Sequence, residues 1–359
     1  MPGLDLRHRL ALQLVKSRQD EVLREHPLRQ LFWECTLRCN LACRHCGSDC
    51  RVTAGIPDMP MEVFGRVLDS VARATDPHEI MVNITGGEPL MRPDLEACGS
   101  MIYEKGFPWG IVTNALALTP ARYRSLLASG LRSMTISLDG LEENHDWMRG
   151  RQGSFKKAAE AIKMVAAGGD TAFDVVTCAN KRNLQQLPDI KRFLIGLGVK
   201  EWRLFTVFPA GRALGEADLQ LDRDEFRGLM EFIKNTRKEG LIKASYGCEG
   251  FLGNYEGDVR DYFFFCRAGI VIGSVLADGS ISACPSIRAD YHQGNVYHDD
   301  FMDMWNSRFQ PYRDRGWMQE SEPCRKCRQF KFCRGGGMHL RDGEGRLLLC
   351  RFNDFSQSV

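Results

Sequence analysis

The chain has 359 residues, enough for two or three domains with a sizeable buried core. Hydrophobic residues make up 43% and charged residues 26%, which excludes a disordered or fibrous chain, and 48 Lys plus Arg against 46 Asp plus Glu leave a net charge of only +2. That balance gives no global attraction to nucleic acid or anionic lipid. With no apolar run of ~18 residues and no signal-peptide core, the expectation is a cytoplasmic protein without a membrane span.

Residues 1–28 predict an N-terminal amphipathic helix, with Leu6, Leu10 and Leu14 along the side that packs and Pro27 ending it. Between 29 and 215, strand candidates at 31–34, 79–84, 109–113, 133–137, 173–177 and 202–208 alternate with helical-period stretches near 61–74, 93–105, 119–129, 154–167 and 184–197. Six strands separated by helices read as successive right-handed βαβ units with a parallel sheet, either open or curled into a partial barrel. Residues 216–261 are expected to form a helical bridging region. Residues 262–359 read as a small cysteine-rich domain in which Asp278-Gly279 turns a β-hairpin.

Nine of the 14 cysteines fall in two windows, five within 35–50 and four within 324–350. Incidental core cysteines would scatter, and a reducing compartment disfavours disulfides, so the clustering points to metal. Cys39-x3-Cys43-x2-Cys46 follows the first strand, at the end of a parallel sheet where ligands sit. Three thiolates at this spacing suit three irons of a 4Fe–4S cubane and leave the fourth iron open. Zinc is the competing reading, although structural zinc sites favour paired Cys-x2-Cys units. Cys35 and Cys50 flank the motif without fitting it and read as packing thiols, as do Cys98 and Cys178.

The motif, with Thr85-Gly86-Gly87-Glu88-Pro89 after the second strand and Ser137-Leu138-Asp139-Gly140 after the fourth, resembles the radical S-adenosylmethionine (SAM) enzymes. The resemblance implies a partial (β/α)6 TIM-type barrel whose Cys39, Cys43 and Cys46 hold a 4Fe–4S cluster. Reductive cleavage of SAM there would yield a 5′-deoxyadenosyl radical. It also implies a SAM site built from Gly86, Gly87, Glu88, Pro89, Asn114, Ser137, Asp139 and Arg149, with Ser137 on the SAM carboxylate and Asp139 near the ribose. His145-Asp146-x2-Arg149-Gly150 matches a pattern of peptide-modifying branches. Arg149 there serves either SAM or substrate, or else pairs with Asp146. His45 would adjoin the adenine, and Pro209-Ala210-Gly211-Arg212 would close the barrel over it.

The C-terminal cysteines resemble the SPASM extension, which carries auxiliary iron–sulfur clusters. Cys324, Cys327, Cys333 and Cys350 make a complete four-thiolate set, suited to electron transfer because every iron is ligated. The family has a further cysteine four positions after Cys333, where this chain has Gly337. A second auxiliary cluster would then rest on Cys266, Cys284 and Cys248, with His339 or a substrate group to complete it; otherwise Cys266 and Cys284 only pack. A narrower resemblance, to a bacterial subfamily linked to a small lipoprotein, adds a lipoprotein partner to the expectations and names no reaction.

Together these features imply an oxygen-sensitive enzyme that oxidatively modifies a peptide or protein, fed by a reductant such as flavodoxin or ferredoxin. The alternatives are modification of a small molecule such as a tetrapyrrole or cofactor precursor and, more remotely, a non-catalytic iron–sulfur electron carrier. The sequence names no general base.

Overall fold

A computed structural model describes residues 4–355 except Asp170, Cys248 and Arg288. The first half repeats strand and helix as expected. Helix α1 (Leu6–Glu25) precedes β1 (Gln30–Glu34), α2 (Met61–Ala74), β2 (Met81–Thr85), α3 (Leu95–Glu104), β3 (Trp109–Thr113) and α4 (Pro120–Ala128). Then follow β4 (Leu131–Ser137), α5 (Glu142–Arg149), α6 (Ser154–Gly168), β5 (Ala172–Ala179), α7 (Leu187–Gly196) and β6 (Glu201–Thr206). Local signals set several boundaries. The Thr119 hydroxyl accepts from the Arg122 amide in front of Pro120, and Asp222 and Glu225 form a capping box at α8 (Arg223–Glu239).

The six expected strands are present, but the sheet is larger. Among the described residues it has nine strands in the order β7-β6-β5-β4-β3-β2-β1-β8-β9, with β7 and β9 as edges, so it does not close. Strand β7 (Lys243–Tyr246) lies in the region expected to be only helical and pairs parallel with β6. Strand β8 (Ile272–Val275) pairs parallel with β1, Gln30 opposite Ile272, and β9 (Ile281–Ser282) returns antiparallel to it. The sheet therefore runs from the core into the cysteine-rich domain without interruption. The hairpin forms where expected. Gly279 stands at φ +86°, and a side-chain carbon there would lie 2.6 Å from the Asn295 Oδ1 atom, so glycine is required.

Burial shows where the core sits. Trp33, Trp109 and Trp202 on β1, β3 and β6 are fully enclosed. Trp33 stacks on Phe64 of α2 with ring centroids 4.2 Å apart, while the Trp109 indole donates to the Ser129 carbonyl. Each such side chain removes enough apolar area to contribute roughly 2–3 kcal/mol. Helix α1 corrects the sequence reading. Its Leu12 and Gln19 are buried, whereas Leu6, Leu10 and Leu14 face solvent. Two apolar rows run along this helix, and periodicity does not say which one meets the protein. No helix among the described residues is long and apolar enough to cross a membrane. Helices α9 (Phe301–Arg308), α10 (Gln310–Arg313) and α11 (Phe330–Cys333) complete the C-terminal region.

Candidate functional site

Because the strands pair in parallel register, their C-terminal ends line up. Residues 35–51 leave β1 and close on themselves, with the Cys39 amide donating to the Arg51 carbonyl over 2.7 Å. Within this loop Cys39, Cys43 and Cys50 are buried and Cys46 half-buried. Burial pushes the Cys39 thiol up to about 12, with the charges of Glu88, Cys43 and Cys46 adding to it. Burial raises Cys43 as well, and two thiols that resist ionisation beside a third that yields its proton readily suit a metal cluster, whose positive charge would hold all three as thiolates. Cys50 belongs to the same cluster of side chains and hydrogen-bonds Cys46, which lowers the Cys46 pKa.

Each SAM-site residue expected from the sequence lies at this end of the sheet, and most are occupied in shaping it. A side-chain carbon at Gly86, where φ is +135°, would lie 2.2 Å from the Thr36 carbonyl oxygen, and one at Gly87 would lie 2.3 Å from that of Arg38. The two glycines thus let the turn press against the root of the cysteine loop, where the Gly87 amide donates to Thr36 and the Glu88 amide to Arg38. Glu88 is buried. Its carboxylate accepts from the Thr113 hydroxyl (2.6 Å), the Asn114 amide (2.7 Å) and the Leu90 amide (3.1 Å), which shapes the turn at Pro89. Asn114 donates to Cys39 Sγ (3.8 Å) and Asn40 Oδ1 (2.9 Å). Ser137 ends β4 half-buried, and its hydroxyl bonds none of the described residues.

Asp139 and Arg149 form the charged centre of the site. The Arg149 guanidinium lies 2.7 Å from Asp139 Oδ2 and 3.7 Å from Cys43 Sγ. The other Asp139 oxygen accepts from the Cys178 amide. Burial alone would push the Asp139 carboxyl up, but Arg149, with His45 and His145 nearby, holds it below the ordinary carboxylate value. The alternative pairing of Arg149 with Asp146 is not what the structure shows. Asp146 caps the start of α6 instead, accepting from Gly153, Ser154 and Phe155 within 2.6–2.7 Å. His145 accepts from the Asp139 amide through Nδ1 at 3.0 Å, and burial lowers its pKa to about 4.

Two residues gain a role that the sequence did not suggest. Cys178 packs as expected, half-buried against the Met148 and Val207 cluster, and its sulfur also lies within 4.8 Å of ligand atoms on His45 and Asp139. The Arg149 ion pair occupies that carboxylate, so the trio forms a polar wall of the site. Arg212, expected over the adenine, clasps the cysteine loop. Its Nε donates to the Cys43 carbonyl (2.7 Å), its Nη1 to the Cys50 carbonyl (3.0 Å) and to Asp49 (2.7 Å), and its amide to the Cys46 carbonyl (3.0 Å). The Gly-Arg pair after β6 was the available signal, but its partner lies some 165 positions away.

In the C-terminal region Cys324, Cys327, Cys333 and Cys350 line one largely apolar cavity with Phe330 and Leu340. Burial pushes Cys333 up, and the charges of Cys350, Cys324 and Cys327 push it further, as expected of four thiols converging without metal. The donor set and its apolar enclosure fit a fully ligated cluster. Arg341 approaches within 3.4 Å of Cys324 Sγ. Cys266 is buried beside Arg315 and the Met338 amide, and Cys284 is half-buried. Cys248, the expected third thiol of that group, lies outside the described residues. Where Gly337 replaces the family cysteine, a side-chain carbon would fall 2.8 Å from the His339 ring, so the imidazole fills that space.

Comparison with known proteins matches both regions of the chain to described families. The Radical SAM superfamily profile matches residues 33–194, and the iron–sulfur cluster-binding SPASM domain matches 266–328. The mycofactocin maturase MftC of Mycobacterium tuberculosis is 30% identical over 315 residues, covering 86% of this chain and 78% of that protein. The AdoMet-dependent heme synthase of Nitratidesulfovibrio vulgaris is 24% identical, covering 85% and 86%. Streptococcus suis SuiB, solved with SAM bound, superposes with a TM-score of 0.68 at 18% identity, covering 88% of this chain and 75% of that one. SuiB has also been solved with the precursor peptide SuiA.

Proposed function

Because the chain belongs to the radical SAM superfamily and carries a SPASM domain, and is therefore an enzyme that binds 4Fe–4S clusters and SAM, we propose that it oxidatively modifies a peptide or small protein in the cytoplasm. The observation that carries the oxidative part is the cavity lined by Cys324, Cys327, Cys333 and Cys350, a complete four-thiol set suited to taking up an electron. The peptide part is supported by the 30% identity to a maturase across most of both chains.

In this reading Cys39, Cys43 and Cys46 hold the catalytic cluster, which with SAM bound supplies a carbon radical able to abstract hydrogen. The chain's own groups fix that cluster and its surroundings. Asn114 and Arg149 place donors on two of the three sulfurs, and Arg212 holds the loop carbonyls. The Ser137 hydroxyl is the uncommitted group assigned to the SAM carboxylate. Asp139, already paired, keeps Arg149 oriented, and His45 and Cys178 line the wall that a substrate meets.

A second reading, action on a tetrapyrrole, is favoured by the 24% identity to a heme synthase over 86% of that protein. The deciding experiment supplies anaerobically reconstituted enzyme with SAM and dithionite, then measures 5′-deoxyadenosine with candidate peptides or with a coproporphyrin. Stimulation by a peptide, with loss of two hydrogens in its mass, is the expected result; stimulation by the porphyrin alone would replace the proposal with the second reading. Iron content tests the clusters. About twelve irons per chain would place a cubane at Cys266, Cys284 and Cys248, and about eight would leave only two cubanes.

A further inference from the structure

Arg149 and Arg341 each donate to a cysteine sulfur, but they differ in what balances their charge. At the loop after β1, Arg149 reaches Cys43 Sγ over 3.7 Å while lying 2.7 Å from the fully buried Asp139. Arg212, which clasps the same loop, pairs with Asp49. At the C-terminal site Arg341 comes closer, with Nη2 3.4 Å from Cys324 Sγ, and no carboxylate pairs with it among the described residues. Its other bonds go to neutral oxygens, the Gly335 carbonyl (3.0 Å), the Gly345 carbonyl (2.6 Å) and the Ser321 hydroxyl (3.1 Å).

The acids nearby are committed or solvated. Asp342 and Glu344 both pair with Arg346, and Glu322, two positions before Cys324, is exposed to water. Arg351, which lines the four-cysteine cavity, lies 3.5 Å from Asp354. Arg341 is only 2% exposed, so its charge is neither screened by solvent nor cancelled by a partner. A buried cation left in that state is costly unless an anion stands beside it. Four thiolates around a cubane form such an anion, and reduction adds a further negative charge to it.

We infer that Arg341 is a positioning residue that sets a potential: acting through Cys324, its uncompensated charge favours the reduced form of a cluster held by Cys324, Cys327, Cys333 and Cys350. The inference rests on the reading that these cysteines hold a cluster, and it adds what directs an electron to them. One electron leaves the substrate radical, which is oxidised and releases a proton, and that electron reduces the cluster. Arg149, balanced by Asp139, gives the catalytic loop no comparable bias. The catalytic site thus stays the stronger reductant, as SAM cleavage requires, while the C-terminal site keeps the electron it receives.

The test is an anaerobic redox titration followed by electron paramagnetic resonance. It uses the full-length reconstituted chain carrying Cys39→Ala/Cys43→Ala/Cys46→Ala, so that the catalytic signal is absent. The relevant step is the one that Cys333→Ala alters. Into this background are placed Arg341→Gln, which removes the charge, Arg341→Lys, which keeps it, and Ser321→Asp, which leaves Arg341 in place and gives it a carboxylate. Lys331→Gln, an exposed cation beside Phe332, is the control. Iron content is measured in each.

Arg341→Gln and Ser321→Asp are each expected to disfavour reduction by at least about tenfold, a fall of about 59 mV for a one-electron step. Arg341→Lys should recover most of that change, and Lys331→Gln should shift the equilibrium by less than about twofold. Equal potentials in all variants would overturn the inference, as would a shift in Arg341→Lys or Lys331→Gln as large as that in Arg341→Gln. If Arg341→Gln loses its iron, Ser321→Asp decides alone, and an unchanged potential there overturns the inference. A wild type that takes up no iron would overturn the cluster reading itself, and the role of Arg341 with it.

Discussion

The two cysteine sites of this protein solve opposite problems. The loop after β1 offers three thiols to a metal and surrounds them with polar groups, Asn114 at Cys39 and Arg149 at Cys43, while leaving Cys46 partly open. The C-terminal site converges four thiols in an apolar cavity. The first is held by the backbone of a long loop, tied by Arg212 and the glycine turn; the second is held by packing and by the buried Arg341, which donates to the Gly335 and Gly345 carbonyls and to Cys324 Sγ. A site that must admit a cofactor needs an unligated position and oriented donors, whereas one that only passes electrons needs four thiols and no free position.

The largest effects should separate the two most sharply. Replacing Cys39, Cys43 and Cys46 together with alanine is expected to abolish SAM cleavage and remove about four irons per chain. Cys333→Ala should lower iron as well, yet leave dithionite-driven 5′-deoxyadenosine formation in place while product yield falls. Retained SAM cleavage in the first variant would erase the distinction. Next comes the clasp. Arg212→Ala removes charged hydrogen bonds to Cys43 and Cys50 and should cost about 2 kcal/mol of loop stability. It would be read as faster iron loss to a chelator from the catalytic site alone, and an unchanged rate would show that the loop is held elsewhere.

The charged centre gives a pH dependence. His145 is buried and its pKa falls from 6.5 to about 4, so the folded state resists a proton that the unfolded chain accepts. Its stabilising contribution is complete above pH 6.5 and is lost as pH falls towards 4, by about 3 kcal/mol in all. The acid limb of the thermal midpoint should therefore flatten in His145→Gln; an identical limb would remove the histidine from the balance. The smallest effect is expected at Cys50, a neighbour but not a member of the triad. Cys50→Ser should keep full iron content and change SAM cleavage by less than about twofold, and loss of four irons would make the loop a four-thiol site like the other.

The sequence made the repeating core legible because each strand and helix announces itself locally. Cys39, Cys43, Cys46 and the glycine turn follow strand ends and so inherit their positions from the sheet. What stayed hidden was non-local. The parallel pairing of β7 and β8 depends on strands far away in the chain, and four or so residues such as Lys243–Tyr246 carry little pattern of their own. The leucine row of α1 was readable as apolar but not as outward. Arg149 choosing Asp139 over Asp146, and Arg212 reaching back to the cysteine loop, both required the folded geometry.

The pairing of β8 with β1 has a consequence for how the molecule can be divided. Strand β1 would be an edge without it, its backbone donors and acceptors from Gln30 to Trp33 bare along one side. Such a strand, carrying Leu31 and Trp33, is a template for pairing with another chain. A fragment ending before residue 262 would therefore be a poor minimal enzyme, stuck to its own copies through β1. The C-terminal region serves the core as a cover against self-association before any electron reaches it.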